Sequence, residues 1–135
     1  MIPPSNPYTR MQRAYYDNAV ESMAQTNHRG HDSNPDYRSI LLGPVVDKPE
    51  FWRGKAALEV GCGLGRNIDN LLHLAAWRTV DGCDISPRLV EGAERYLTGR
   101  GYSRFKLYAV SGVDLAPIAD ETYDFVVSTL VFQHI

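Results

Sequence analysis

Apolar residues in the second half of the chain follow two alternating rhythms. "AALEV", Ala56 to Val60, is a short and nearly unbroken apolar run that stops at a cluster of glycines, as a buried strand does. Ile68, Leu71, Leu72 and Ala75 then recur at i, i+3, i+4 and i+7, which predicts a helix with one apolar face. "TVDGCDI" predicts a second strand. Ser86 followed by Pro87 supplies an N-cap and a first helical position for "PRLVEGAERYL". "FKLYAV" predicts a third strand and "SGVDLAPIADET" a long loop. "YDFVVSTL" predicts a fourth strand, apolar on both faces as a central parallel strand is. Strands alternating with helices imply an α/β fold, a parallel sheet with right-handed crossovers.

The first half is less regular. Residues 1–9 hold Pro3, Pro4 and Pro7 and read as a loose tail. From Arg10 to Gln25, Met11, Ala14, Tyr15, Ala19 and Met23 fall at roughly helical spacing and predict an amphipathic helix. "TNHRGHDSNPD" is polar throughout and reads as a loop, a short helix is expected over Tyr37 to Leu42, and a further turn near Pro49. The chain therefore divides into an N-terminal tail and helical cap, 1–53, and an α/β domain, 54–135.

Composition narrows the function. At 135 residues, with 44% hydrophobic and 22% charged residues, the chain is one soluble globular domain or part of one. A formal net charge of -2 gives no pull toward nucleic acid or an anionic membrane. No apolar run is long enough to span a bilayer, and the N-terminus lacks the pattern of a secretory signal. Cys62 and Cys83 form no CxxC pair and read as small buried thiols, as expected in a reducing cytoplasm. "HRGHD", His28 to Asp32, matches no standard metal spacing.

The candidate chemistry lies in "LEVGCGLGRN". In a parallel α/β sheet, ligands bind beyond the carboxyl ends of the strands, where this turn must lie. Gly61, Gly63 and Gly65 let the backbone take positive φ and approach a ligand closely. Asp84, 19 residues after Gly65 and at the end of the second strand, can accept two hydrogen bonds from a ribose diol. A dinucleotide fingerprint requires glycine at position 66, where Arg66 stands. Glu59 also precedes the turn, and a carboxylate there repels a pyrophosphate by an energy on the order of 1 kcal/mol. A ligand with a ribose and a cationic head but no phosphate suits both residues, which points to S-adenosylmethionine.

These segments resemble the class I S-adenosylmethionine-dependent methyltransferases. "ALEVGCGLGRN" is similar to their E/D-x-G-x-G-x-G motif, and "VDGCDIS" to their ribose-binding segment. "VSGVDLAPIADETYDFVVSTLVFQHI" is similar to their region through strand four. The resemblance implies a Rossmann-like sheet and particular roles. Gly61, Cys62, Gly63 and Gly65 would wrap the methionine part, Glu59 would favour its ammonium, and Asp84 would take the ribose hydroxyls. Ile85 would pack on the adenine, the Ser111-Gly112-Val113 turn would meet the adenine edge, and Ser128 would lie near the transferred methyl. Serine at 111 departs from the acidic residue many members carry there. The N-terminal helix would lid the cofactor, with Tyr15 and Tyr16 as an aromatic wall or as core packing. His134 would start a helix or act as a general base.

Family members carry seven strands, and this sequence supplies four. The resemblance thus implies the N-terminal, cofactor-binding part of a longer protein, its sheet completed by further C-terminal sequence or by another chain. The acceptor would be a small molecule rather than nucleic acid or a membrane. Two other readings stay open on sequence alone. One is a noncatalytic cofactor- or protein-binding module, the other a nicotinamide-dependent oxidoreductase.

Overall fold

The computed structural model describes residues 7–21, 23, 42–120 and 122–129. Four strands form one parallel sheet: β1 (Ala56–Val60), β2 (Thr79–Asp84), β3 (Leu107–Ala109) and β4 (Phe125–Ser128), in the order β3-β2-β1-β4. Helix α1 spans Pro7–Asn18, α2 Arg66–Leu74 and α3 Pro87–Gly99. The register sets Glu59 opposite Gly82 on one side and Val127 on the other.

The topology fixes where a ligand goes. The chain steps outward from β1 to β2 to β3, then returns to the far side of β1 as β4. The strand order reverses at β1, and the crevice beyond its carboxyl end is the binding position of such sheets. The glycine turn occupies that position.

The strands predicted over Ala56–Val60 and from Thr79 form there, and β1 is buried from Ala56 to Glu59. The Ser86 cap also forms, its hydroxyl accepting from the Leu89 N–H at 3.1 Å. The third strand is shorter than "FKLYAV", because pairing with β2 begins only at Leu107. Among the described residues β4 is an edge strand rather than a central one, with Val126 59% exposed. Helix α1 begins inside the stretch read as a tail, with Pro7 in its first turn, where a missing N–H costs nothing. Residues 42–47 are helical, and Leu42 and Val45 enter the core there; of the short helix expected over Tyr37 to Leu42, residues 37–41 lie outside the described residues. The turn near Pro49 is a 3-10 helix, Pro49–Trp52.

One buried carboxylate ties the sheet together and a second ties two helices. Asp81, within β2, accepts from the Thr79 hydroxyl, the Lys106 N–H and the Tyr123 hydroxyl. Asp69, in α2, accepts from Tyr96 of α3 and from Arg100 just past its end. Each is buried with its acceptor capacity used, as interior charge requires. Trp77 donates its indole N–H to the Leu71 carbonyl at 2.8 Å and packs against Trp52 and Phe125. No helix among the described residues is long and apolar enough to cross a membrane.

Candidate functional site

The turn after β1 is built on left-handed backbone. Gly61, Gly63 and Gly65 have φ of 76°, 53° and 87°, a region that costs other residues roughly 1–2 kcal/mol each. That conformation turns the N–H groups of Gly61 and Cys62 onto the Cys83 carbonyl, at 2.8 and 3.0 Å. The Gly63 N–H reaches the Asp84 carboxylate at 3.0 Å. Gly65 bonds back to the Cys62 carbonyl and opens α2. The turn is therefore stitched to the end of β2.

Asp84 sits at the centre of this stitching. One carboxylate oxygen accepts from Gly63 and the other from the Ser86 N–H at 3.0 Å. Burial pushes its carboxyl above the usual range, and these backbone donors oppose that shift. Each oxygen keeps a lone pair for a further donor such as a hydroxyl.

Glu59 is 2% exposed. One of its oxygens accepts from the Asn67 amide at 2.6 Å. The other, Oε1, has no hydrogen-bond partner among the described residues. Burial raises its carboxyl to about 8, with the Asp84 charge adding to the shift and Asn67 opposing it. The Cys62 thiol is pushed well above its usual value by burial, and Cys83 to about 11, so both stay protonated.

Helix α1 lies across the outer end of this crevice. The Arg13 guanidinium donates to the Ile85 carbonyl at 2.9 Å and to the Val110 carbonyl at 3.5 Å. Asp17 accepts from the Ser86 hydroxyl and the Arg88 N–H, and its carbonyl accepts from the Arg88 guanidinium at 2.7 Å. A Cβ on Gly112 would stand 2.6 Å from the Thr9 methyl and 3.1 Å from Ile85, so these three residues meet at one point. Tyr15 is 68% exposed, and Tyr16 packs beside Val20, Leu64 and Leu89. The clasp thus uses Arg13 and Asp17, and Tyr16 takes the core-packing role.

The other sequence candidates spread along the same sheet edge. The Ser111 hydroxyl caps its own turn by accepting from the Val113 and Asp114 N–H groups, and the Val113 side chain is exposed. The Ser128 hydroxyl donates to the Val60 carbonyl at 3.0 Å, which holds β4 against the start of the turn. His28, Asp32 and His134 lie outside the described residues. Among the described residues no cluster of side chains could hold a metal ion.

Sequence reading missed Asn67, Arg13, Asp17 and two glycines. Asn67 carried a signal, since it is a polar residue in the first turn of a helix whose neighbouring positions are buried. Gly92 had one too, a glycine inside a helical pattern. A Cβ there would stand 2.6 Å from Leu64, the buried residue that anchors the glycine turn on α3.

Known proteins match this architecture. The sequence model of the methyltransferase domain covers residues 58–135. An uncharacterized protein of Haemophilus influenzae is 30% identical over 104 residues, 71% of this chain and 41% of that protein. A ubiquinone biosynthesis O-methyltransferase of Burkholderia orbicola is 26% identical over 121 residues, 86% of this chain and 51% of that protein. The chain thus spans about half the length of these curated relatives. The magnesium protoporphyrin IX methyltransferase of Synechocystis, solved with bound SAH, superposes with a TM-score of 0.68 at 20% identity, over 95% of this chain and 61% of that one.

Proposed function

The chain belongs to the methyltransferase domain family, and on that basis we propose that it binds S-adenosylmethionine beyond β1 and serves methyl transfer to a small-molecule acceptor. The observation that carries this reading is Glu59 Oε1, an acidic oxygen buried without a partner among the described residues, beside a turn of left-handed glycines. Such an oxygen suits a cationic donor, which supplies both the missing hydrogen bond and the charge that a buried carboxylate needs. Arg66, where a dinucleotide turn needs glycine, further disfavours a nicotinamide cofactor.

The residues present fit the cofactor. Glu59 would hold the ammonium, with its other oxygen fixed by Asn67. The Gly61-to-Gly65 backbone would follow the methionine part, because glycine permits the close approach. Asp84 would accept from the ribose hydroxyls on the lone pairs that Gly63 and Ser86 leave. Ile85 and the Ser111–Val113 turn would flank the adenine, with Thr9 of α1 in front of them. When bound, S-adenosylmethionine supplies a methyl group already activated on a sulfonium. Direct displacement needs no protein nucleophile, so the chain's own task is alignment and exclusion of water. Ser128 serves this indirectly by pinning β4 to Val60. The small net charge supports a small acceptor over a polyanion.

Calorimetric titration with S-adenosylhomocysteine, with NADH as control, tests the reading. Saturable binding of the former alone is expected. Binding of NADH alone would overturn it.

A further inference from the structure

We infer that the ligand-free site stores a proton on Glu59, and that arrival of the cofactor's ammonium expels this proton to solvent, so that affinity rises with pH. The inference rests on the cofactor reading above and adds a proton to its binding equilibrium.

The geometry carries it. Glu59 lies on β1 with strands on both sides and is 2% exposed. An ionised carboxylate in that place needs donors on both oxygens. Oε2 has one, the Asn67 amide at 2.6 Å, and Asn67 also donates to the Thr129 hydroxyl at 3.3 Å. Oε1 has none among the described residues. One hydrogen bond cannot offset the loss of hydration of a full charge, so the group neutralises by taking a proton.

The neighbours of Glu59 do not reverse that balance. From β2, the Asp84 carboxyl acts in the same sense as burial, and Cys83 stays a neutral thiol. From the turn, Cys62 is likewise neutral. From α2, Arg66 acts in the opposite sense but is the weakest contributor, and Asn67 supplies the bond described. Just past the end of β4, the Thr129 hydroxyl is neutral and accepts from Asn67. The raised value of Glu59, about 8, agrees with a neutral carboxyl at pH 7. Burial raises the Asp84 carboxyl as well, but backbone N–H groups reach both of its oxygens and oppose that shift.

An ammonium brings a full positive charge and the donor that Oε1 lacks. The ion pair favours the ionised carboxylate in a poorly solvated place. The carboxyl proton leaves to buffer and the ammonium keeps its own, so charge and atoms balance. One proton released per ligand makes the dissociation constant fall about tenfold per pH unit. The gain stops near pH 8, where Glu59 in the ligand-free chain itself loses its proton.

The test is titration with S-adenosylhomocysteine at about pH 6.5, in two buffers of different ionisation enthalpy. The expected result is release of close to one proton per ligand, and affinity about tenfold tighter per unit between about pH 5.5 and 7.5. Glu59→Gln should bind with release near zero and a flat pH profile. Asn67→Ala, which removes the one donor to the carboxylate among the described residues, should move the midpoint of the profile upward. Release near zero in the wild type, or unchanged in Glu59→Gln, overturns the inference while leaving cofactor binding intact. Infrared spectra of the ligand-free chain give a readout free of ligand. A protonated-carboxyl band at neutral pH that Glu59→Gln removes is expected, and its absence from the wild type refutes the stored proton. No binding of S-adenosylhomocysteine at all would instead refute the cofactor reading, and the proton exchange with it.

Discussion

Substitution of Gly82 by alanine sets two opposed effects against each other at the centre of the sheet. Replacing glycine in a strand interior should stabilise the protein by about 0.4–1 kcal/mol, through a less flexible unfolded chain. The structure opposes this. A Cβ on Gly82 would stand 2.6 Å from Ile68 Cδ1, 2.8 Å from Cys62 Cβ and 2.9 Å from Cys62 Sγ. The Ile68 methyl is the far end of a side chain and can shift. Cys62 Cβ cannot shift without its backbone, and that backbone is the glycine turn. Overpacking of this kind costs about 1–3 kcal/mol. The net expectation is a loss of about 1–2 kcal/mol, which lowers the urea midpoint by roughly 0.5–1 M. Affinity for S-adenosylhomocysteine should fall with it, because the turn must move. Adding Ile68→Val removes one of the close contacts, so a double-mutant cycle should show favourable coupling in stability. It should not restore affinity, since the contact with Cys62 Cβ remains. A Gly82→Ala protein as stable as wild type, with unchanged affinity, would refute the reasoning.

Three further outcomes are expected. Asp84→Ala should weaken S-adenosylhomocysteine binding by about 1.5–3 kcal/mol in calorimetry, the scale of hydrogen bonds to a charged group, and an unchanged affinity would remove Asp84 from the site. Arg13→Ala should cost about 1 kcal/mol of stability and raise the dissociation rate of the ligand in stopped-flow displacement, because it unfastens α1 from the Ile85 and Val110 carbonyls. Glu59 has an ordinary value of 4.5 and a folded value of about 8, so between those limits the native state holds a proton that the unfolded chain has lost. Its contribution to stability is whole below the lower limit and disappears as pH rises through the upper one. Urea titrations should therefore show wild type losing stability relative to Glu59→Gln from about pH 5 to 8.

What could be read from the sequence was local. The largely apolar run of β1, the Ser86-Pro87 helix start and the spacing of the three glycines are each set by neighbours within a few positions, and each forms where the pattern places it. The helix start at Pro7 was missed because proline reads as a breaker as readily as a first-turn residue. The clasp of Arg13 and Asp17 was missed because its partners lie 69 to 97 positions away, beyond the reach of any periodicity. Gly82 differs again. Its small size serves the turn across the layer between sheet and α2, and that purpose appears only when Cys62 and Ile68 are placed beside it.

The order of assembly follows from those separations. β1, α2, β2 and α3 are consecutive in the chain and pack on one another, so their association closes only short loops. α1 and β4 must each cross far more chain to dock, and loop closure grows costlier with length. The core would then condense first and carry a formed glycine turn while α1 is still unattached. Pulsed hydrogen exchange during refolding should find β1 and β2 amides protected before those of α1. A nascent chain of this kind meets its ligand through an open doorway, and a cofactor bound at that stage is enclosed when the N-terminal helix finally docks.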